Sequence, residues 1–464
     1  MRESWTCKMK KQTLLPFEKK GLFTLVALLL CILSRPLASQ ADDMGAKEEA
    51  FSLNLNQAIQ LSLQHNLTVL LARERENEAH GRETESLAQL LPNLYVTASQ
   101  ANATQNLAAL GFPPRLFPIS PLIGPYYTFD ARVHLAQTLF NLSAARRHAA
   151  SQVDLQITHL QEKLAEEQIA TATVMDYLRV LETQEAVDAA SANVDLAISL
   201  EKQAKDQHDA GMANGVDVLR ASTRLAEKEL ALSQAETQLE QAGFQLKRAI
   251  GIPLGKNLDL KDVLPFTATS PSPVNDLLKQ AFHDRFELQV ASEAVRRDEL
   301  NLSAAKGEGD PTLYFGANYG LSGNTPGLLS LPTRWFGMNF DLPIFNGGLT
   351  KGHIQEFESK KHQSELILND THDQIEEDVR MAIQTLLTTA KQVQSAQQSL
   401  DLAKRQLDLA RDRFKSGLGD NIQVLDAETS LENARNAQVL ALAMYNQARL
   451  NLAASLGHAL QFQL

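Results

Sequence analysis

The 464-residue chain has two cysteines, Cys7 and Cys31, and both fall within its first 33 residues. Everything after Cys31 therefore has no disulfide, no thiol chemistry and no cysteine–zinc site. Basic residues are outnumbered, 44 Lys and Arg against 55 Asp and Glu. The first 41 residues carry a net +5 against −11 for the whole chain, which leaves −16 on the remainder. That balance disfavours nucleic acid as a partner. Long apolar runs are also missing. The one uninterrupted run, Gly21 to Leu33, is 13 residues long, too short for a permanent membrane helix. With Lys10, Lys11, Lys19 and Lys20 before it and Ser39-Gln40-Ala41 after it, residues 1–41 are expected to be a cleaved export signal peptide. The residues preceding Cys31 are leucines, not the small residues of a lipidation site, which argues against a lipoprotein. Hydropathy does not bear on β-barrel strands, whose signal is alternation.

Enzyme signatures are equally sparse. No zincin motif, phosphate loop or dinucleotide fingerprint occurs. The histidines are scattered; His362 and His372 share a segment but stand ten residues apart. Neither a catalytic site nor a cofactor or metal site is expected.

What the chain does have is repetition. Gln137-Thr138-Leu139-Phe140-Asn141 resembles Leu342-Pro343-Ile344-Phe345-Asn346. Ala210-Gly211-Met212 matches Ser416-Gly417-Leu418, Val216-Asp217-Val218-Leu219 matches Ile422-Gln423-Val424-Leu425, and Ile250-Gly251 matches Leu456-Gly457. The offset is 205 or 206 throughout. Upstream, Pro92-Asn93-Leu94-Tyr95 matches Pro311-Thr312-Leu313-Tyr314 at offset 219. The difference predicts a longer loop in the first copy between Thr104 and Tyr127, where Pro113, Pro114, Pro118, Pro121 and Pro125 oppose regular structure. The expected division is residues 42–253 and 274–464 as two repeats, each a helix, a strand pair and a long helical hairpin, with 254–273 as linker.

Heptad spacing identifies the hairpins. Ile375, Val379, Ile383, Leu386, Ala390, Val393, Ala396, Leu400, Ala403, Leu407, Ala410 and Phe414 follow one another by threes and fours. No proline interrupts residues 347–416 or 141–210. The returning arms repeat the stripe, through Leu232, Ala235, Leu239, Ala242, Leu246 and Ala249, and through Val424, Ala427, Leu431 and Ala434. Gly211 and Gly417 suit the hairpin tips. Between the helices the period falls to two. Tyr127, Phe129, Ala131, Val133 and Leu135 alternate with polar residues, as do Leu313 to Leu321 and Phe336 to Leu342, and more weakly Leu94, Val96 and Ala98. Each run is 9–11 residues, the length of a tilted outer membrane strand. Four strands cannot close a membrane barrel, and open edges cannot sit in lipid. The pattern therefore demands an oligomer if the strands meet lipid. A four-stranded sheet in a periplasmic coiled-coil structural or adaptor protein is the alternative.

The chain resembles the TolC-like outer membrane factor family over about residues 51–458. The likeness rests on the duplication, Leu91-Pro92 and Asp310-Pro311 before strands, and Phe345-Asn346-Gly347-Gly348 after one. It rests above all on Phe414-Lys415-Ser416-Gly417-Leu418 followed by Gln423-Val424-Leu425-Asp426-Ala427-Glu428. The resemblance implies a mainly α fold with a β-barrel portion: a homotrimer with a twelve-strand barrel in outer membrane lipid, joined to a twelve-helix tunnel in the periplasm. It implies an exit duct of a tripartite efflux or type I secretion system, partnered by a periplasmic adaptor and an inner membrane pump. Ala210, Gly211, Met212, Ser416, Gly417 and Leu418 match the helix tips where the adaptor docks. Asp426 and Asp217 match the acidic tunnel constriction, where Asp426 would form a ring in a trimer. Gln423 stands where a second constriction aspartate is found, and Phe414 and Gly419 replace a tyrosine and an arginine. A polar latch at the entrance is therefore not expected.

Overall fold

The computed structural model describes residues 51–111, 120–211, 214–267, 272–327, 330–416 and 421–464, with backbone only at 415 and 421. The expected signal peptide, Met212, Gly417, Leu418, Gly419 and the prolines 113, 114 and 118 lie outside these residues.

The proline-free heptad segments fold as two very long helices, α3 (Leu142–Asp209) and α7 (Leu349–Lys415), of 68 and 67 residues. At 1.5 Å per residue each is about 100 Å long. Returning helices α4 (Gly215–Ala249) and α8 (Asn421–Ser455), 35 residues each, pack back on them. Along α7 the heptad positions Ile375, Val379, Ile383, Leu386, Val393, Ala396, Leu400, Ala403 and Leu407 are buried. Leu400, Ala403 and Leu407 meet Val424, Ala427, Leu431 and Ala434 at the tip, Leu386, Val393 and Ala396 meet Ala441, Tyr445 and Ala448 further back, and Ile375, Val379 and Ile383 pack on Leu277, Leu278 and Ala281. The seam of α4 is less covered, with Leu232, Ala235 and Leu239 only half-buried. Asn141 caps α3 through its carboxamide on the Ala144 N–H at 2.9 Å.

A single first helix per repeat is expected from the sequence, but the structure gives a pair in each place. Helices α1 (Leu55–His65) and α2 (Leu67–Ala88) meet at Asn66, and α5 (Val274–Asp284) and α6 (Phe286–Lys306) meet at Arg285. Asn66 and Arg285 have nearly the same extended backbone, φ −70° with ψ 128° and 121°. One extended residue breaks the hydrogen-bond ladder without proline or glycine. A three-residue parallel sheet, β1 (Phe51–Leu53) with β4 (Leu258–Leu260), closes the base of the helices. Its anchor is the fully buried Tyr177, whose hydroxyl donates to Asp262 Oδ2 at 2.7 Å, while the Leu55 N–H donates to the same oxygen at 3.0 Å.

The alternating segments form one antiparallel sheet in the order β2 (Asn93–Asn106), β3 (Leu122–Phe140), β5 (Thr312–Gly323), β6 (Leu331–Asp341). The strands are longer than expected, 14 and 19 residues for β2 and β3. Pro125 lies inside β3, contrary to the loop expected through Tyr127. At Leu122–Tyr126 β3 pairs with β2 alone, and β5 joins only from Phe129, so a proline there deprives no second ladder of a donor. The register sorts the side chains by face. Val96, Val133 and Tyr319 are in line across three strands, as are Ala98, Ala131 and Leu321, and Ala317 with Phe336. The opposite face carries Thr97, Arg132 and Gly320, and Tyr95, His134, Asn318 and Trp335. At Gly320 an added Cβ would fall 2.2 Å from the Ala131 carbonyl, so only glycine admits this strand pairing.

Candidate functional site

Two regions offer themselves: the apolar sheet face and the hairpin tips. On the sheet, large apolar side chains stand uncovered, with Val96 at 71%, Phe336 at 73%, Met338 at 66% and Phe340 at 65% exposure. No described helix is long and apolar enough to cross a membrane. The polar face is internally satisfied. Arg132 grips Asp130 and donates to Asn318 Oδ1 at 3.2 Å, and the His134 ring stacks on Tyr95 at 4.8 Å. Strands β2 and β6 are the two unpaired edges of the sheet.

At the first tip, Ala210 closes α3, its N–H donating to the Asp206 carbonyl at 3.2 Å. Gly211 follows at φ +75°, the left-handed turn that favours glycine. Asn214 and Asp217 then form a reciprocal capping box at the start of α4. Asp217 also faces Arg220 at 3.5 Å, so its carboxylate is engaged at its own helix end. At the second tip, Ser416 ends α7 with its hydroxyl on the Asp412 carbonyl at 2.8 Å. Phe414 is half-buried and packs on the cluster of Leu407, Val424 and Ala427. Gln423 and Asp426 are exposed on α8. Asp426 is the sixth residue of α8, beyond its first turn, so capping does not account for it. It borders an open groove of about 390 Å³ with Val216, Leu219, Arg220, Arg224 and Leu425, which brings the two tips together.

Behind this groove lies a charged cluster that sequence reading missed. Lys228 of α4, 5% exposed, contacts Glu432 of α8, which Arg224 also reaches at 3.4 Å. Glu428, 2% exposed, has no hydrogen-bond partner among the described residues for either carboxylate oxygen. Burial pushes its carboxyl above the usual range, against the opposing pull of Arg224, Lys228 and Arg411. Arg435 donates to the buried Asn193 at 2.6 Å. A second tie sits at the helix break, where Arg285 bridges Glu287 at 2.9 Å and Asp378 at 2.7 Å.

Residues 277–458, which run from α5 through the β5–β6 strand pair and both helices of the second hairpin, match the family described as outer membrane efflux protein. The chain is a homologue of TolC and other outer membrane factors. Outer membrane protein TolC of Escherichia coli is 23% identical over 343 residues, covering 71% of this chain and 69% of that protein. Alkaline protease secretion protein AprF of Pseudomonas aeruginosa is 22% identical over 413 residues, 84% of this chain and 81% of that one. Among solved structures, the Campylobacter jejuni CmeC outer membrane channel superposes with a TM-score of 0.77 at 18% identity, over 87% of this chain and 86% of the channel. That likeness is one of fold. The sheet and the long helices of this chain have the same arrangement as in that structure.

Proposed function

We propose that this protein is an outer membrane exit duct that works as a homotrimer. The carrying observation is the four-stranded sheet, with one largely apolar face uncovered and both edges open, set on helices about 100 Å long. In lipid such edges must be paired, and the remedy is neighbouring copies. Three chains give a twelve-strand barrel and, from α3, α4, α7, α8 and the shorter α1–α2 and α5–α6 pairs, a closed helical tunnel. Residues 42–253 and 274–464 supply half of each protomer, joined by 254–273, after export under the signal of residues 1–41. The barrel resides in the outer membrane and the helices extend into the periplasm.

The tips then face an inner membrane pump through a periplasmic adaptor. Ala210, Gly211, Met212, Ser416, Gly417 and Leu418 form the docking ends, where small residues permit close approach. Asp426 narrows the tunnel electrostatically, one per chain, and Phe414 holds the entrance by packing instead of a polar latch. In such a system the pump selects the cargo and the duct conducts it. No catalytic step is assigned.

Fractionation of membranes tests this reading. The chain is expected in the outer membrane as a heat-modifiable trimer, which runs more slowly unheated than the boiled monomer on a denaturing gel. A soluble periplasmic monomer would overturn it, and the spacer alternative would gain.

A further inference from the structure

Helix α2 lies against α3 through a ladder of charged side chains. Arg82 reaches Asp154, Glu83 faces His148, Glu76 meets His159, and Arg73 meets Glu162 and Glu166. One rung differs from an ordinary ion pair. His159 and Glu162 stand three apart on one face of α3, and Glu76 projects between them from α2. The His159 Nδ1 is 3.1 Å from Glu76 Oε1 and 3.9 Å from Glu162 Oε2, and all three donor atoms lie within 4.8 Å of one another. Among the described residues this is the one His/Asp/Glu trio so arranged.

We propose that Glu76, His159 and Glu162 form a divalent transition-metal site that clamps α2 to α3. Metal bonds of 2.0–2.2 Å set tetrahedral donor separations of about 3.4 Å, so the trio needs a closure of about 0.5 Å between His159 and Glu162 and of no more than about 1.4 Å between the two carboxylates. Glu162 is 8% exposed and already oriented. The Arg73 guanidinium holds its Oε1 at 3.1 Å, which leaves Oε2 turned to the imidazole. Arg73 also takes Glu166, whose other oxygen meets Lys163, so the next carboxylate is already engaged. His159 is half-exposed and Glu76 one-third exposed, which gives an ion an entry path and water room for the remaining positions. One imidazole and two carboxylates suit Zn²⁺, Ni²⁺, Co²⁺ or Cu²⁺. The set lacks the sulfur that soft monovalent ions prefer and the all-oxygen shell that Mg²⁺ and Ca²⁺ require. The alternative is a plain ion pair between a protonated His159 and its carboxylates.

The test uses the full chain in detergent micelles, titrated with Zn²⁺ by calorimetry and loaded with Cu²⁺ for electron paramagnetic resonance. The site predicts saturable Zn²⁺ binding, one nitrogen coupled to Cu²⁺, and a raised thermal midpoint with Zn²⁺ that chelator reverses. His159→Ala is expected to weaken binding by at least about tenfold, with Glu76→Gln as a second variant should the first fold poorly. His362→Ala, at an exposed pair on α7, is expected to leave binding unchanged. Absent Zn²⁺ binding, unchanged affinity in both site variants, or displacement by equimolar Mg²⁺ would overturn the assignment.

Discussion

Replacing Glu432 by leucine isolates the charged cluster behind the tips. Lys228 is 6% exposed at its side chain and Glu432 20%, and the pair joins α4 to α8. Removing one partner of a buried ion pair leaves an uncompensated charge, which costs about 3–5 kcal/mol. Two features of this site pull the value to the lower end. Glu432 is not fully buried, and after its loss Lys228 still has Glu428 nearby. We therefore expect Glu432→Leu to cost about 3 kcal/mol and Lys228→Met somewhat less, because Arg224 remains on Glu432. The double variant exchanges the pair for apolar groups of similar volume, which is commonly neutral or stabilising. With Arg224 also deprived of Glu432, it should be no less stable than Glu432→Leu alone, a coupling of about 2–3 kcal/mol in a double-mutant cycle. Urea unfolding followed by the helical circular dichroism signal reads each midpoint at constant slope. Single variants within about 0.5 kcal/mol of the parent, or a double variant equal to the sum of the singles, would refute the argument that desolvation governs this cluster.

Glu428 predicts a pH signature. Its folded-state pKa is raised by burial, so its favourable contribution is complete below the unfolded value and is lost as pH rises through the folded one. Glu428→Gln should match the parent near pH 4 and exceed it in thermal midpoint near pH 8; equal midpoints at both pH values would contradict the burial argument. Asp426→Asn should reduce block of single-channel conductance by multivalent cations applied from the tip side, and unaltered block would remove Asp426 from the conduction path. Tyr177→Phe strips the hydroxyl from Asp262 and the Leu53 carbonyl. It should cost about 1–3 kcal/mol by leaving buried acceptors short of a donor, read as a lowered urea midpoint; no change would mean that water replaces the hydroxyl.

The long helices were legible because a heptad stripe sustained over dozens of residues is the mark of a helical seam, and no proline interrupts it. The sheet faces were legible because period two survives on each strand separately, and the register then aligns Val96, Val133 and Tyr319 across three strands. What stayed hidden lacked a period. A three-residue strand such as Phe51–Leu53 is too short to alternate, and it exists only because Leu258–Leu260 lies beside it. The breaks at Asn66 and Arg285 turn on one extended residue apiece. Asn66 does carry a signal, an asparagine whose side chain caps the Thr68 N–H at 2.9 Å, but Arg285 carries none. Pro125 misled because a proline excludes a central strand and tolerates one that has a single neighbour. At the tips, the sequence motif picked out Asp217 and Asp426, and the two differ in place: Asp217 is engaged in a capping box and Asp426 lines the groove. The burial of Glu428 and Lys228 was not legible, because a helical wheel describes one hairpin and their burial comes from the second hairpin packing on the first.

The central claim is that the open edges β2 and β6 are closed by other copies of the chain. Cysteines placed singly along Asn93–Asn106 and paired with single positions along Leu331–Asp341 test it directly. Cys7 and Cys31, both within the expected signal, leave a clean background. Oxidation of outer membranes is predicted to give covalent dimers and trimers for pairs in register, ending at three chains, and none for pairs out of register. Monomers alone at every register, or ladders that end at two chains or run on past three, would contradict the trimeric duct.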